Sequence, residues 1–142
     1  DGERLLLGRQ ASWPSRRYSV VAGFVEPGET LEQTVMREVL EETQVRVRHC
    51  RYLGAQPWPF PGALMLGFCA EAEPDVPRGD GELEDARWFT FEDIDAALAR
   101  HGDDDGESLL LSPSISIARA LIEHWHAGMR GRAPAASSET GR

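Results

Sequence analysis

Residues 23–45 read GFVEPGETLEQTVMREVLEETQV, and this stretch carries most of the information in the chain. It places Glu38, Glu41 and Glu42 within about one turn of a predicted helix, with Glu29 just before that helix. Carboxylates this close repel one another unless a cation neutralises them. Because every donor is an oxygen atom, a hard ion such as Mg²⁺ or Mn²⁺ is favoured, and such ions commonly accompany phosphate substrates. The stretch therefore predicts a divalent-cation site on a helix.

The start of this helix is marked by a capping pattern. Thr30 and Gln33 stand in the T-x-x-Q spacing that satisfies unpaired N–H groups of a first helical turn. The helix is expected to pack through an apolar stripe, while its three glutamates lie on a different face. The predicted stripe consists of Leu31, Val35, Val39 and Leu40.

The rest of the chain predicts an α/β domain with a mixed β-sheet sandwiched between helices. Predicted strands cover residues 4–7, 19–24, 45–53, 63–72 and 86–91, and further helices cover 91–100 and 115–125. Residues 1–126 are assigned to this single domain. From residue 127 the composition shifts to Gly, Ala, Pro and Ser, so we expect residues 127–142 to be a disordered tail.

Composition narrows the class of protein. The 142 residues suffice for one domain with a hydrophobic core. A net charge of −9 argues against a partner bound mainly by neutralising phosphates, such as duplex DNA, but not against a small phosphorylated molecule. Cys50 and Cys69 are too few for a zinc site or a disulfide framework, so we expect reduced thiols and a cytoplasmic protein. No apolar run or signal predicts a membrane partner or secretion, and the first residue, Asp1, leads us to expect missing upstream sequence.

The order Gly23, Glu29, then REVLEETQV at residues 37–45 resembles the Nudix box. That box is the signature of hydrolases that cleave a nucleoside diphosphate linked to another group. The resemblance implies a Nudix fold and a metal-dependent hydrolase in which Glu38, Glu41 and Glu42 hold Mg²⁺ or Mn²⁺ and one carboxylate accepts a proton from water. Glu41-Glu42 alone would be typical of a solvated helix face; the complete spacing favours the metal site.

Two further positions refine this interpretation. Arg37 is expected to hold Glu29 in an ion pair, which supports the site without doing chemistry. Gln44 stands where the Nudix pattern has a glycine at the helix end, a place that suits left-handed backbone. This replacement should cost about 1 kcal/mol and removes no metal ligand.

A second motif lies downstream in residues 56–65, QPWPFPGALM. Its prolines lack N–H groups and alternate with two aromatic residues, so we predict a fixed extended loop that displays Trp58 and Phe60. The two rings either form a flat platform for a base or nicotinamide ring, or simply fill the core.

This motif is similar to the SQPWPFPxS signature of NADH pyrophosphatases, a Nudix subfamily. Members split NAD(H) into nicotinamide mononucleotide and AMP, and bacterial members also remove NAD caps from RNA. The resemblance implies a dinucleotide substrate, the NAD-capped 5′ end of RNA as a further partner, and a homodimer. The implied substrate-binding residues are Phe24, Gln56, Trp58, Phe60 and Ala118, and Glu82 is an implied further metal ligand.

The chain also departs from the signature. Ala55 and Ala63 replace its two serines, and loss of a hydroxyl that bonds substrate would weaken binding by about 0.5–1.5 kcal/mol. The four-cysteine zinc ribbon usual in the family is absent from this stretch of sequence. Two alternatives therefore stay open: hydrolysis of another nucleoside diphosphate derivative such as ADP-ribose, or a non-catalytic nucleotide-binding module. The complete glutamate set disfavours the second.

Overall fold

The structure, a computed structural model, describes residues 2–59 and 62–132. The described elements confirm the α/β class. The strand predicted over residues 63–72 is observed with the same first and last residues. In chain order they are β1 Arg4–Arg9, α1 Leu31–Thr43, β2 Val47–Trp58, β3 Ala63–Ala72, β4 Asp85–Thr90, α2 Phe91–Ala99 and α3 Ile117–Arg130.

The strands form two antiparallel pairs, β1 with β4 and β2 with β3. Two isolated β-bridges lie outside these pairs. Gly8 and Ser19 form an antiparallel bridge, and Arg17 and Leu110 form a parallel one, so the structure contains both parallel and antiparallel backbone pairing. Helix α1 contacts β2, α3 contacts β3, and α2 contacts β4 and α3. The helices therefore lie against both strand pairs.

The main hydrophobic core joins β1 to α2 and α3. It contains Leu7, Ile94 and Ile122, each fully buried, which stabilises the fold by about 1.5–3 kcal/mol per side chain. Tyr18 joins this core, with its ring 5.0 Å from that of Phe89 in an edge-to-face contact. This core fixes the segment before α1 relative to the C-terminal helix.

Helix α1 begins as predicted but packs differently. The Thr30 hydroxyl accepts from the Gln33 N–H at 3.1 Å, and the Gln33 side chain accepts from the Thr30 N–H at 2.9 Å, which confirms the capping box. The predicted stripe is wrong at its two ends, because Leu31 is 37% exposed and Leu40 48% exposed. The buried side chains of the helix are instead Thr34, Glu42 and Thr43. Hydrogen bonds offset the burial of both threonine hydroxyls: Thr43 donates to the carbonyl of Val39 one turn earlier, and Thr34 has the Glu29 carboxylate and the Thr30 carbonyl as acceptors for its single hydrogen.

The predicted strand over residues 19–24 is also wrong beyond Ser19, which alone bridges Gly8. The carbonyl of Phe24 accepts a hydrogen bond from Arg37 Nη2 at 2.9 Å. A side chain of α1 therefore satisfies this backbone where a neighbouring strand would otherwise do so. This segment leads directly to Glu29 and to the start of α1.

The loop predicted for the proline-aromatic segment is wrong at its start, because residues 56–58 belong to a paired strand. Strand β2 continues through Trp58, with Pro57 opposite Leu64 and Trp58 opposite Ala63. Pro57 is tolerated because, among the described residues, β2 pairs with β3 alone and so has an edge that needs no N–H donor. Phe60 lies outside the described residues.

The C-terminal boundary also shifts. Helix α3 continues through Arg130, past the domain end that we predicted at residue 126. Residues 127–130 are thus helical, and residues 133–142 of the predicted tail lie outside the described residues.

The strand register explains why the two cysteines stay unpaired. Cys50 lies opposite Ala70, and Cys69 lies opposite Arg51, on the neighbouring rung. Side chains on successive rungs point to opposite faces of a sheet, so these two thiols cannot reach disulfide geometry. Both are free. In the described part of the chain, every helix is too short or too polar to cross a bilayer.

Candidate active site

Arg37 is the centre of the polar network on α1. Its Nε lies 2.6 Å from Glu29 Oε2 and its Nη2 lies 2.9 Å from Glu29 Oε1, a two-pronged ion pair that confirms the predicted pairing. Its Nη1 reaches Glu38 at 2.7 Å and Glu41 at 3.2 Å. Two-pronged guanidinium–carboxylate pairs are the more rigid and stronger ones. Arg37 therefore joins the loop before the helix to two of the predicted metal ligands.

Glu29 is held as a charged carboxylate by this network. The pKa of Glu29 is lowered to about 2, first by the hydrogen bonds from Arg37 and then by the hydroxyl of Thr34, which donates at 2.7 Å. The charged form stays in place across the neutral pH range. Thr34 was missed by the sequence reasoning, although its position inside the glutamate motif could have suggested it.

Glu42 has the opposite environment. It is only 6% exposed, and the pKa of its carboxyl is raised to about 8. Burial is the largest cause, followed by a hydrogen bond to Glu82 and the negative charges of Glu38 and Glu82. The structure thus brings Glu82, from the loop before β4, to a buried glutamate on α1.

Glu38 connects the two environments, since it bonds Arg37 and also lies close enough to disfavour charge on Glu42. Gly23 packs against it so closely that a Cβ atom at position 23 would overlap the Glu38 carboxyl group. This explains the glycine in physical terms. Glu41, in contrast, is exposed beside Arg37.

The carboxyls approach one another without forming a complete ligand set. Within residues 2–59 and 62–132, no three acidic, histidine or cysteine side chains stand as a ready metal-binding group. The chemistry of the donors nevertheless fits a hard cation. Glu42 is a buried carboxyl destabilised by two neighbouring carboxyls, Glu38 and Glu82, and a divalent ion would remove that repulsion.

The arrangement has clear chemical capacities. Glu38, Glu42 and Glu82 are the residues that would hold a divalent cation, which supplies charge neutralisation of phosphate oxygens and a more acidic water. Arg37 keeps Glu38 in position, and burial keeps Glu42 away from bulk water. Without a bound cation, the raised pKa leaves the Glu42 carboxyl largely protonated at neutral pH, and a divalent ion would displace that proton on binding.

Gln56 has a role that the sequence did not reveal. Its amide nitrogen donates to the carbonyl of Ile115 at 2.9 Å, and its amide oxygen accepts from the N–H of Ile117 at 2.9 Å. This side chain therefore fastens β2 to the start of α3. Each amide atom still has capacity for one more hydrogen bond.

The other predicted substrate residues differ in exposure. Phe24 is 83% exposed and Trp58 is 45% exposed, so neither ring fills the core. Ala118 lies in the first turn of α3, just beyond the backbone that Gln56 holds. Gln56 therefore holds Ile117, the residue before Ala118, to β2.

Comparison with known proteins identifies the family. The family described as "NUDIX domain" matches residues 1–110. The chain is 53% identical over 133 residues to "NAD-capped RNA hydrolase NudC" of Mycobacterium bovis (strain BCG / Pasteur 1173P2), which covers 89% of this chain and 42% of that protein. It is 44% identical over 126 residues to "NAD-capped RNA hydrolase NUDT12" of Homo sapiens, covering 88% of this chain and 27% of that protein. The chain thus spans less than half the length of these relatives.

Solved structures support the fold alone. A NUDIX hydrolase from Nitrosomonas europaea superposes with a TM-score of 0.66 at 21% identity, covering 94% of this chain and 68% of that chain. The NUDIX domain of Shewanella oneidensis NrtR, solved with ADP ribose, gives a TM-score of 0.62 at 19% identity, covering 89% of this chain and 77% of that chain.

Proposed function

This chain belongs to the Nudix family, and we propose that it is a divalent-cation-dependent hydrolase that splits the diphosphate bond of NAD(H) into nicotinamide mononucleotide and AMP. We extend the proposal to the NAD-capped 5′ end of RNA, because the similar proteins from Mycobacterium bovis and Homo sapiens carry that activity in their names. The observation that carries the proposal is Glu42, a buried carboxyl that faces Glu38 and Glu82.

The proposed cation is Mg²⁺ or Mn²⁺. A donor set made only of carboxylates favours these hard ions over zinc or copper, which prefer nitrogen and sulfur ligands. We assign Glu38, Glu42 and Glu82 as ligands of this cation. Glu41 is a fourth proposed ligand, and its side chain must turn away from Arg37 to reach the cation. Glu29 and Arg37 support the site through their ion pair.

We propose that the exposed rings of Phe24 and Trp58 contact the substrate, together with Phe60, Gln56 and Ala118. The exposure of the first two rings supports a binding role over a core role, since large aromatic side chains are usually buried where they only stabilise a fold.

A second candidate is hydrolysis of another nucleoside diphosphate derivative, such as ADP-ribose. It is favoured by Ala55 and Ala63, which remove the two hydroxyls of the signature. A third candidate, nucleotide binding without turnover, requires the same fold but no chemistry.

One experiment separates these candidates. The purified protein is incubated with Mn²⁺ or Mg²⁺ and, separately, NADH, NAD-capped RNA, ADP-ribose and diadenosine polyphosphate, and the products are resolved by chromatography. AMP and reduced nicotinamide mononucleotide as preferred products from NADH support the proposal. Preference for ADP-ribose supports the second candidate, and binding without products supports the third.

We also propose that the protein is a homodimer that works in the cytoplasm. Met36 and Leu40, neighbours on one face of α1, are apolar yet exposed, which supports a protein partner on that face. Sedimentation of wild type and Leu40→Glu tests the dimer: a monomer in both proteins contradicts it.

A further inference from the structure

A cavity of about 260 Å³ lies outside the glutamate site and outside every motif described above. Its walls come from the loop after β1 and from the segment before α3. It is lined by Ser12, Trp13, Pro14, Arg17, Ser19, Ser112 and Pro113. We refer to it as the Trp13–Arg17 cavity.

Arg17 gives this cavity a positive charge that the described residues do not neutralise. Its Nε is buried without a hydrogen-bond partner, and it forms no ion pair with an acidic side chain in residues 2–59 and 62–132. The nearby Arg9 also has an unpartnered Nε, but Glu84 neutralises its charge. The adjacent Arg16 bonds Asp104 at 2.6 Å. Arg17 is therefore the cation of this loop that remains available to an anion.

The other walls suit a nucleotide. The Ser112 hydroxyl donates to the Ser19 hydroxyl at 2.7 Å, which fixes a polar floor, and Arg119 holds the Ser112 carbonyl from α3 at 3.2 Å. Trp13 also lines the cavity and brings an aromatic side chain to the same space as Arg17. Guanidinium and hydroxyl groups are common phosphate partners, and an indole face stacks on any nucleobase.

The position of the cavity relative to the glutamates is set by the chain itself. Ser19 in the cavity floor and Gly23 against Glu38 are joined by a short segment that spans at most about 14 Å when fully extended. A free dinucleotide carries its negative charge on the diphosphate, which belongs at the glutamates. A separate positive cavity nearby therefore matches a further phosphate, one that free NAD(H) does not have.

We propose that the Trp13–Arg17 cavity binds the nucleotide that follows the NAD cap in RNA, with the phosphodiester on the adenosine 3′ oxygen facing Arg17 and the next base against Trp13. This inference rests on the proposed function and adds a source of preference for capped RNA over the free dinucleotide. The proposal is also compatible with the net charge of −9. One local positive charge, that of Arg17, is enough to bind the single RNA phosphate next to the cap.

The test compares kcat/KM for a short NAD-capped RNA with kcat/KM for NADH in wild type, Arg17→Gln, Trp13→Ala and Trp13→Phe. Arg17→Gln is expected to lower the ratio of RNA to NADH by about tenfold or more, since it removes a charge-assisted phosphate contact. It should also reduce the salt dependence of RNA use by about one phosphate contact. Trp13→Ala should lower the same ratio, and Trp13→Phe should retain most of it. Arg51→Gln, which removes an exposed positive charge from β2, is the matched control and should leave the ratio unchanged.

Binding without added metal separates this inference from the proposed function. Affinity is measured for AMP and for adenylyl-adenosine carrying a 5′ phosphate, with thermal unfolding confirming that each variant is folded. Weaker binding of the dinucleotide alone in Arg17→Gln supports the cavity even if no substrate is hydrolysed. Equal losses on both ligands or both substrates, or no loss on RNA, overturn it.

Discussion

Replacing Glu42 by glutamine should stabilise the protein and abolish its hydrolytic activity at the same time. Glutamine keeps the size of the side chain and its hydrogen bonding while removing the charge. In the structure, Glu42 is buried beside Glu38 and Glu82, which raises the pKa of its carboxyl to about 8. The ionised carboxylate is therefore unfavourable in the folded protein when no cation is bound, and the neutral amide removes that penalty.

The size of the effect follows from the pKa. The ordinary pKa of this carboxyl is 4.5, and a tenfold change in an acid dissociation constant corresponds to about 1.36 kcal/mol. At pH 7 the substitution should raise the free energy of unfolding by about 1–3 kcal/mol, allowing for coupling with the neighbouring carboxyls. An acid with a raised folded pKa contributes stability below its unfolded pKa and loses it as pH rises through the folded value. The difference between variant and wild type should therefore be near zero at pH 4.5 and grow until about pH 8.

The assay is urea unfolding in the presence of a chelator at several pH values between 4.5 and 9. Glu32→Gln, which alters an exposed glutamate on the same helix, is the matched control and should change the free energy of unfolding by less than about 0.5 kcal/mol. With Mg²⁺ in place of the chelator, wild type should gain stability and Glu42→Gln should gain much less. Hydrolysis by the variant should fall by at least about 100-fold.

Two results would refute this reasoning. A stability difference that stays constant with pH would mean that the Glu42 carboxyl does not titrate differently in the folded protein. Near-normal hydrolysis by the variant would remove Glu42 from the catalytic site.

Three further substitutions test other parts of the structure. Gln44→Gly should raise the free energy of unfolding by about 1 kcal/mol in urea titration, because Gln44 has a left-handed backbone with φ 60°; no gain would contradict the strained helix end. Gly23→Ala should lower kcat/KM by displacing the Glu38 carboxyl, whereas Gly54→Ala, which has open space for its new methyl group, should leave kcat/KM unchanged; equal effects would show that the close approach is unimportant. Trp58→Ala should raise KM for NADH without changing thermal stability appreciably, and a stability loss with unchanged kinetics would assign the ring to packing.

Much of α1 could be predicted because its signals are local. The capping box of Thr30 and Gln33, the ion pair of Glu29 with Arg37, and the left-handed position of Gln44 all depend on residues within about two turns of one another. At that range, sequence spacing fixes distance through the geometry of the helix itself. Strand β3 was equally clear from its composition.

The different environments of the three glutamates on α1 could not be predicted from spacing. Spacing placed Glu38, Glu41 and Glu42 together, but only the packing of α1 leaves Glu41 exposed and buries Glu42 against Glu82. The exposure of Leu40 could not be predicted either, because an apolar residue in the sequence does not reveal which side of its helix packs against the rest of the protein.

Residue order was enough to identify the family and the capped helix, and to show that several carboxylates lie close together on that helix. Only the folded chain shows which carboxylate is buried, that Gln56 fastens β2 to the start of α3, and that Trp13 and Arg17 share a cavity with Ser112. The physical reason is distance along the chain. Backbone geometry relates residues a few positions apart, whereas residues in separate segments meet only where the folded core brings those segments together.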